Sequence, residues 1–318
     1  MKTNRTLTRL AAGAALALAA AGSAAAFPTK DITYVIPFNA GGESDVTARL
    51  QEAPFKQLSG HGFVVQYRVG AGGATAWSQL NGLPADGQTV MGINLPHLFL
   101  QPMEGRVAYK TEDISVINVF QLTPHALIVP ADSPIKTIED YIAQAKKTPG
   151  AITVAGTGSN SANQVAQRTF DKAAGVTTTY VPFTGTAATT AALLGKQVRA
   201  QWGFTTVAVE QGKNVRMLAV ALDQRHKLFP DVPTFKEKGI DLVGGAHRGV
   251  AVPKGTPEAA REKLSSLFSQ VNNDPAFRKK MEDGGYVLVD IGYKQIKPFM
   301  DRLGKEYAEI GRLLGLVK

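Results

Sequence analysis

Three short segments carry the residue types with which a protein holds a charged ligand. They are Pro37-Phe38-Asn39-Ala40-Gly41-Gly42-Glu43-Ser44-Asp45, then Gly70-Ala71-Gly72-Gly73-Ala74, then Gly156-Thr157-Gly158-Ser159-Asn160-Ser161. Each lies between a strand-like and a helix-like stretch. The first N–H groups of a helix have no partner within it, and the helix dipole is positive there, so such a turn favours an anion. Glycine permits both the turn and a close approach of backbone to ligand. An ordinary strand-to-helix turn capped by Ser or Asn reads the same way singly. Three in one chain point to binding.

Catalytic chemistry finds no such support. The chain has no cysteine and five histidines, His61, His97, His125, His226 and His247, each isolated, so neither a thiol nucleophile nor a metal site is expected. The third turn begins G-x-G, but Ser161 stands where a dinucleotide-binding turn needs its last glycine. The following strand, 177–183, carries no acidic residue for a ribose, and no cofactor is expected. Gly195-Lys196 is followed by Gln197, not by the Ser or Thr of a phosphate-binding loop, and no G-x-S-x-G elbow occurs.

The elements that must position these turns alternate. A β-branched run over 32–36 stops at Pro37. A helix is predicted over 44–58, with Val46, Leu50 and Phe55 on its inner side and Pro54 kinking or ending it. Strands follow at 63–67 and 89–93 around a helix at 74–83. The same grammar returns with strands at 126–129, 152–155, 177–181 and 215–222 and helices at 137–147, 161–174 and 186–194. A strand at 249–252 then leads into helices at 257–271, 275–283 and 296–314. This order predicts an α/β protein with doubly wound, mostly parallel sheets. No flexible linker separates the two halves, as in a clamshell whose lobes are joined by strands.

A length of 318 residues suits about two domains. Lys2, Arg5 and Arg9, an alanine-rich apolar stretch over 10–22 and Ala24-Ala25-Ala26 make 1–26 a predicted signal peptide. The apolar stretch is shorter than the roughly 20 residues a bilayer requires. The mature chain is expected to begin near Phe27, to be exported to the periplasm and to be soluble. Without those three cations the net charge falls from +9 to +6. The remaining basic residues are scattered without interleaved aromatics, so no nucleic-acid partner is expected.

The stretch from Ile36 to Arg49, built around Gly41-Gly42-Glu43-Ser44-Asp45, resembles the opening of the Bug-type extracytoplasmic receptors of tripartite tricarboxylate transporters. Gly70-Ala71-Gly72-Gly73, Ala85-Asp86-Gly87-Gln88-Thr89, Val181-Pro182-Phe183-Thr184-Gly185 and Leu193-Leu194-Gly195-Lys196-Gln197-Val198 are similar to further motifs of that family. So are Pro230-Asp231-Val232-Pro233-Thr234-Phe235 and Pro253-Lys254-Gly255-Thr256-Pro257. The resemblance runs through the whole mature chain in order.

It implies a two-lobed type II periplasmic binding protein, a Venus flytrap. Lobe one would be 27–124 with 247–318, and lobe two 125–246. A small organic mono- or dicarboxylate would be held between them and delivered to membrane transporter subunits by a monomeric receptor. Backbone N–H groups and hydroxyl or amide side chains would do the holding. The ligand-binding positions are then Phe38, Asn39, Gly41, Ser44 and Gly72 on lobe one. On lobe two they are Gly158, Ser159, Asn160, Asn163, Phe183, Thr184, Gly185 and Thr186. Arg248, at the lobe junction, offers a fork of donors that fits a carboxylate; the alternative is a hinge arginine paired with an acidic residue.

Departures from the family pattern bear on which ligand is bound. Ala162 replaces a histidine after the third turn, His247-Arg248 replace an aromatic pair, and Asn39 and Glu43 replace smaller residues. A periplasmic sensor would share every binding feature, and a secreted enzyme could use the same cleft but lacks a catalytic set.

Overall fold

A computed structural model describes residues 27–316 of the chain. The predicted signal peptide lies outside the described residues. The strands are β1 (Ile32–Ile36), β2 (Phe63–Tyr67), β3 (Thr89–Leu95), β4 (Ser115–Pro130), β5 (Thr153–Gly156), β6 (Thr179–Pro182), β7 (Ala200–Phe204), β8 (Val215–Val220), β9 (Gly245–Val252) and β10 (Val287–Ile291). The helices are α1 (Glu43–Ser59), α2 (Ala74–Gln79), α3 (His97–Glu104), α4 (Ile138–Lys147), α5 (Ala162–Ala174), α6 (Thr186–Leu194), α7 (Thr205–Gln211), α8 (Glu258–Asn273), α9 (Pro275–Asp283) and α10 (Tyr293–Leu313). Among these helices none is long and apolar enough to cross a membrane.

The strands follow one path, β2-β1-β3-β9-β4-β7-β5-β6, with β8 and β10 also on β4. β1 pairs in parallel with β2 and β3, and β5 with β6 and β7. The strands that join these groups are antiparallel. β4 is 16 residues long. Its first part, up to Pro124, pairs with β9 and β10, and its second part, from His125, with β7 and β8. One strand therefore belongs to two sheets, and the molecule is a two-lobed α/β protein joined through it.

Strands β1, β3 and β8 are buried on both faces, which explains their near-continuous apolar runs. Alternation sends Val35 to one core with Trp77, Leu98 and Phe299, and Tyr34 and Ile36 to another with Phe55 and Phe268. In the other lobe Leu127 and Val129 pack with Tyr141, Phe170 and Trp202, while Ala126 and Ile128 pack with Val207 and Val220.

Helix α1 departs from expectation twice. It runs through Pro54 to an αL cap at Gly60, whose N–H bonds Lys56 O at 2.8 Å. Its buried face is polar at the start: Glu43, Thr47 and Gln51 are inside, Phe55 follows, and Val46 is exposed. Thr47 explains this, because its hydroxyl lies 3.0 Å from Gln121 Oε1 on β4. The helix packs its first two turns against a polar stretch of the shared strand.

Candidate functional site

Two of the turns that begin helices belong to different lobes and meet head on. Helix α1 has Gly42 as N-cap and α6 has Gly185, and neither receives a side-chain cap. A Cβ built on Gly42 would stand 3.9 Å from the backbone nitrogens of both Thr186 and Ala187. The first turn is held from behind by Asp45. Its Oδ2 accepts the Gly41 N–H at 2.8 Å, and its Oδ1 accepts the Tyr67 hydroxyl at 2.8 Å and Arg49 Nε at 3.2 Å. Asn39 lies against Gly185, and its buried Oδ1 has no partner among the described residues.

Between these helix starts is a small cavity of about 10 Å³, lined by Phe38, Glu43, Ser44, Asn94, Thr157, Thr186 and Arg248. That is room for roughly one water. Arg248 forms a salt bridge with Glu43, and the two residues are 4% and 5% exposed, deep enough for each to depend on the other. Arg248 also donates to Thr123 Oγ1 at 2.9 Å and lies over the Phe204 ring at 4.9 Å. Thr206 donates to Glu43 Oε1 at 3.2 Å from the opposite lobe. Arg248 Nε, at the same place, has no partner among the described residues.

The pair sets the electrostatics around it. Burial pushes the Glu43 carboxyl up from its usual range, and Arg248 pulls it back. His97 and His125 are pushed down to about 3, by burial first and then by the Arg248 charge. Both imidazoles are neutral at pH 7 and add no charge to the site.

The second and third turns also meet across the cleft. A Cβ on Gly158, at φ +86°, would stand 2.7 Å from Gly72 Cα. Beside this contact Asn160 Nδ2 donates to Glu104 Oε2 at 2.5 Å, a bond from lobe to lobe. These residues border an outer cavity of about 350 Å³ lined by Gly72, Gln101, Glu104, Arg106, Gly158, Ser159, Phe183 and Thr184, among others. A hollow of about 500 Å³ beside Arg168, Lys172 and Tyr307 includes none of the expected binding residues.

Residues 46–315 match the family of tripartite tricarboxylate transporter receptors, TctC. The chain belongs to this family. A relative from the gbd 5′ region of Cupriavidus necator is 31% identical over 314 residues, covering 97% of this chain and 95% of its own. The periplasmic binding protein BugD has a TM-score of 0.84 at 26% identity, covering 92% of this chain and all of its own (100%). MatC from Rhodopseudomonas palustris, solved with bound malate, has a TM-score of 0.82 at 26% identity over the same shares, 92% and 100%.

In this TctC-family receptor the expected binding residues divide into three groups. Phe38, Ser44, Thr186 and Arg248 line the inner cavity. Gly72, Gly158, Ser159, Phe183 and Thr184 line the outer one. Asn39, Gly41, Asn160, Asn163 and Gly185 line neither, and their contacts shape the turns or bridge the lobes. Asn163 accepts both the N–H and the hydroxyl of Thr157 and donates to Trp202 O at 2.8 Å. Asn163→Ala should therefore lower stability by about 1–3 kcal/mol, the cost of unpartnered buried groups. The decrease in melting temperature should be the same with and without ligand; a loss seen only with ligand would make Asn163 a ligand contact.

Sequence reading missed Glu43, Asn94 and Thr157 as residues lining the inner cavity, and Thr123 and Thr206 as supports of the ion pair. Thr157 sits inside the third turn and was within reach of it. Asn94 is the direct register partner of Arg248 on the neighbouring strand, which no spacing along the chain reveals.

Proposed function

We propose that the protein is a periplasmic receptor that binds a small organic carboxylate between its lobes and delivers it to the membrane subunits of a tripartite transporter. The observation that carries this reading is the pair of uncapped helix starts, one from each lobe, facing across a cavity with a buried arginine in its wall. Two positive helix ends and unpartnered N–H groups suit a carboxylate. The malate bound by MatC and the export signal expected in 1–26 support the same reading. The role is binding rather than catalysis, by a monomer whose lobes divide at 124/125 and 246/247. A ligand that touches both lobes favours their closure by its differential affinity for the closed state.

A thermal-shift series of mono-, di- and tricarboxylates tests this. A true ligand at 100 times its Kd should add about 2.7 kcal/mol of stability. If no carboxylate raises the melting temperature at millimolar concentration, the reading fails.

A further inference from the structure

The cavity already contains a carboxylate of its own. Glu43 lines it beside Arg248, whose charge it offsets. The two helix starts then leave about half an elementary charge each, roughly one in total, to be balanced by a ligand. His97 and His125 are neutral, and Glu210 adds a further negative influence on Glu43. Among the described residues no cation other than Arg248 lines the inner cavity. The outer cavity repeats the arrangement, since Glu104 lines it with Arg106 beside its carboxylate at 3.6 Å.

We propose that this receptor selects a small carboxylate of single negative charge whose second polar group donates hydrogen bonds, and that Glu43 excludes di- and tricarboxylates. The inference rests on the carboxylate-binding reading above. The cavity holds about one water, so a ligand of this kind must part the two helix starts, and a second carboxylate on it then lies close to Glu43, in a medium where like charges repel far more strongly than in water. An amide, hydroxyl or ammonium group at the same point finds in Glu43 an acceptor instead. A like charge placed against the wrong ligand is one of the ways a site rejects it.

Matched pairs of nearly equal size make the test: malonate and its monoamide, succinate and succinamate, glutarate and glutaramate, titrated calorimetrically at pH 8, where the free acids are ionised. The tightest-binding monoamide should exceed its parent diacid by about ten-fold or more in affinity. In Glu43→Gln that ratio should fall to near one or invert. A wild-type preference for the diacid overturns the inference while leaving the carboxylate reading intact, and it needs no variant to fold. An unchanged ratio in a folded Glu43→Gln protein overturns the assignment to Glu43. Binding of no member of either series overturns the carboxylate reading itself.

Discussion

Replacement of Arg248 by methionine will destabilise the ligand-free protein by about 3–5 kcal/mol, because Glu43 is left buried without its counter-charge. The loss will depend on pH in a defined direction. Glu43 is already raised by burial, and removing Arg248 removes the main influence that lowers it. A carboxyl whose folded-state value lies above its unfolded value contributes its stability below the unfolded value, and that contribution is lost as pH rises through the folded one. The gap in melting temperature between wild type and variant should therefore narrow from pH 8 towards pH 5. Adding Glu43→Gln to the variant should recover most of the loss, since the charge itself is gone. A variant gap that is constant across pH, or no recovery in the double variant, would show that Arg248 stabilises by packing on Phe204 instead.

Gly158→Ala will lower carboxylate affinity at least ten-fold, as about 1.4 kcal/mol lost from the closed state requires. The added methyl meets Gly72 Cα of the opposite lobe at 2.7 Å, and backbone cannot turn aside as a side chain can. The lobes must part to admit it. Gly175→Ala is the control: its φ is also positive, at +63°, but its Cβ would meet nothing within 4 Å. Both substitutions strain the backbone, and only the first obstructs closure. Small-angle scattering with saturating ligand should show a larger radius for Gly158→Ala than for wild type. Equal losses of affinity in the two variants would trace the effect to strain alone.

The strands and helices that sequence reading placed well are those with one apolar pattern and clear stops. β1, β2, α6 and α9 run over the expected residues. Expectation failed along the shared strand and its neighbours. β4 carries Asn118, Gln121 and Thr123 fully buried, and β7 carries Gln201 and Gly203, so neither shows the apolar run of an interior strand. These polar residues serve the junction: Gln121 Nε2 donates to Thr123 Oγ1 at 3.1 Å, and Thr123 accepts from Arg248. The same network misled the reading of α1, whose inner face follows Glu43, Thr47 and Gln51 rather than Val46. An acid in the first turn of a helix is ordinary, and only Arg248, far along the chain, makes Glu43 part of a site. Periodicity reports which face is apolar; it is silent where the partner surface is itself polar.

The shared strand also orders events in time. β4 finds β9 only once residues 245–252 have been made, and β10 only after 287–291. β3 likewise waits for β9, so the sheet begun by the first hundred residues keeps an open edge until most of the chain has left the ribosome. Pairings between segments so distant in sequence slow folding, because the entropy of closing the long loop between them is lost before the contact is gained. For a chain proposed to be exported, such late pairing is an advantage, because the sheet of the first hundred residues stays incomplete until the last strands are available.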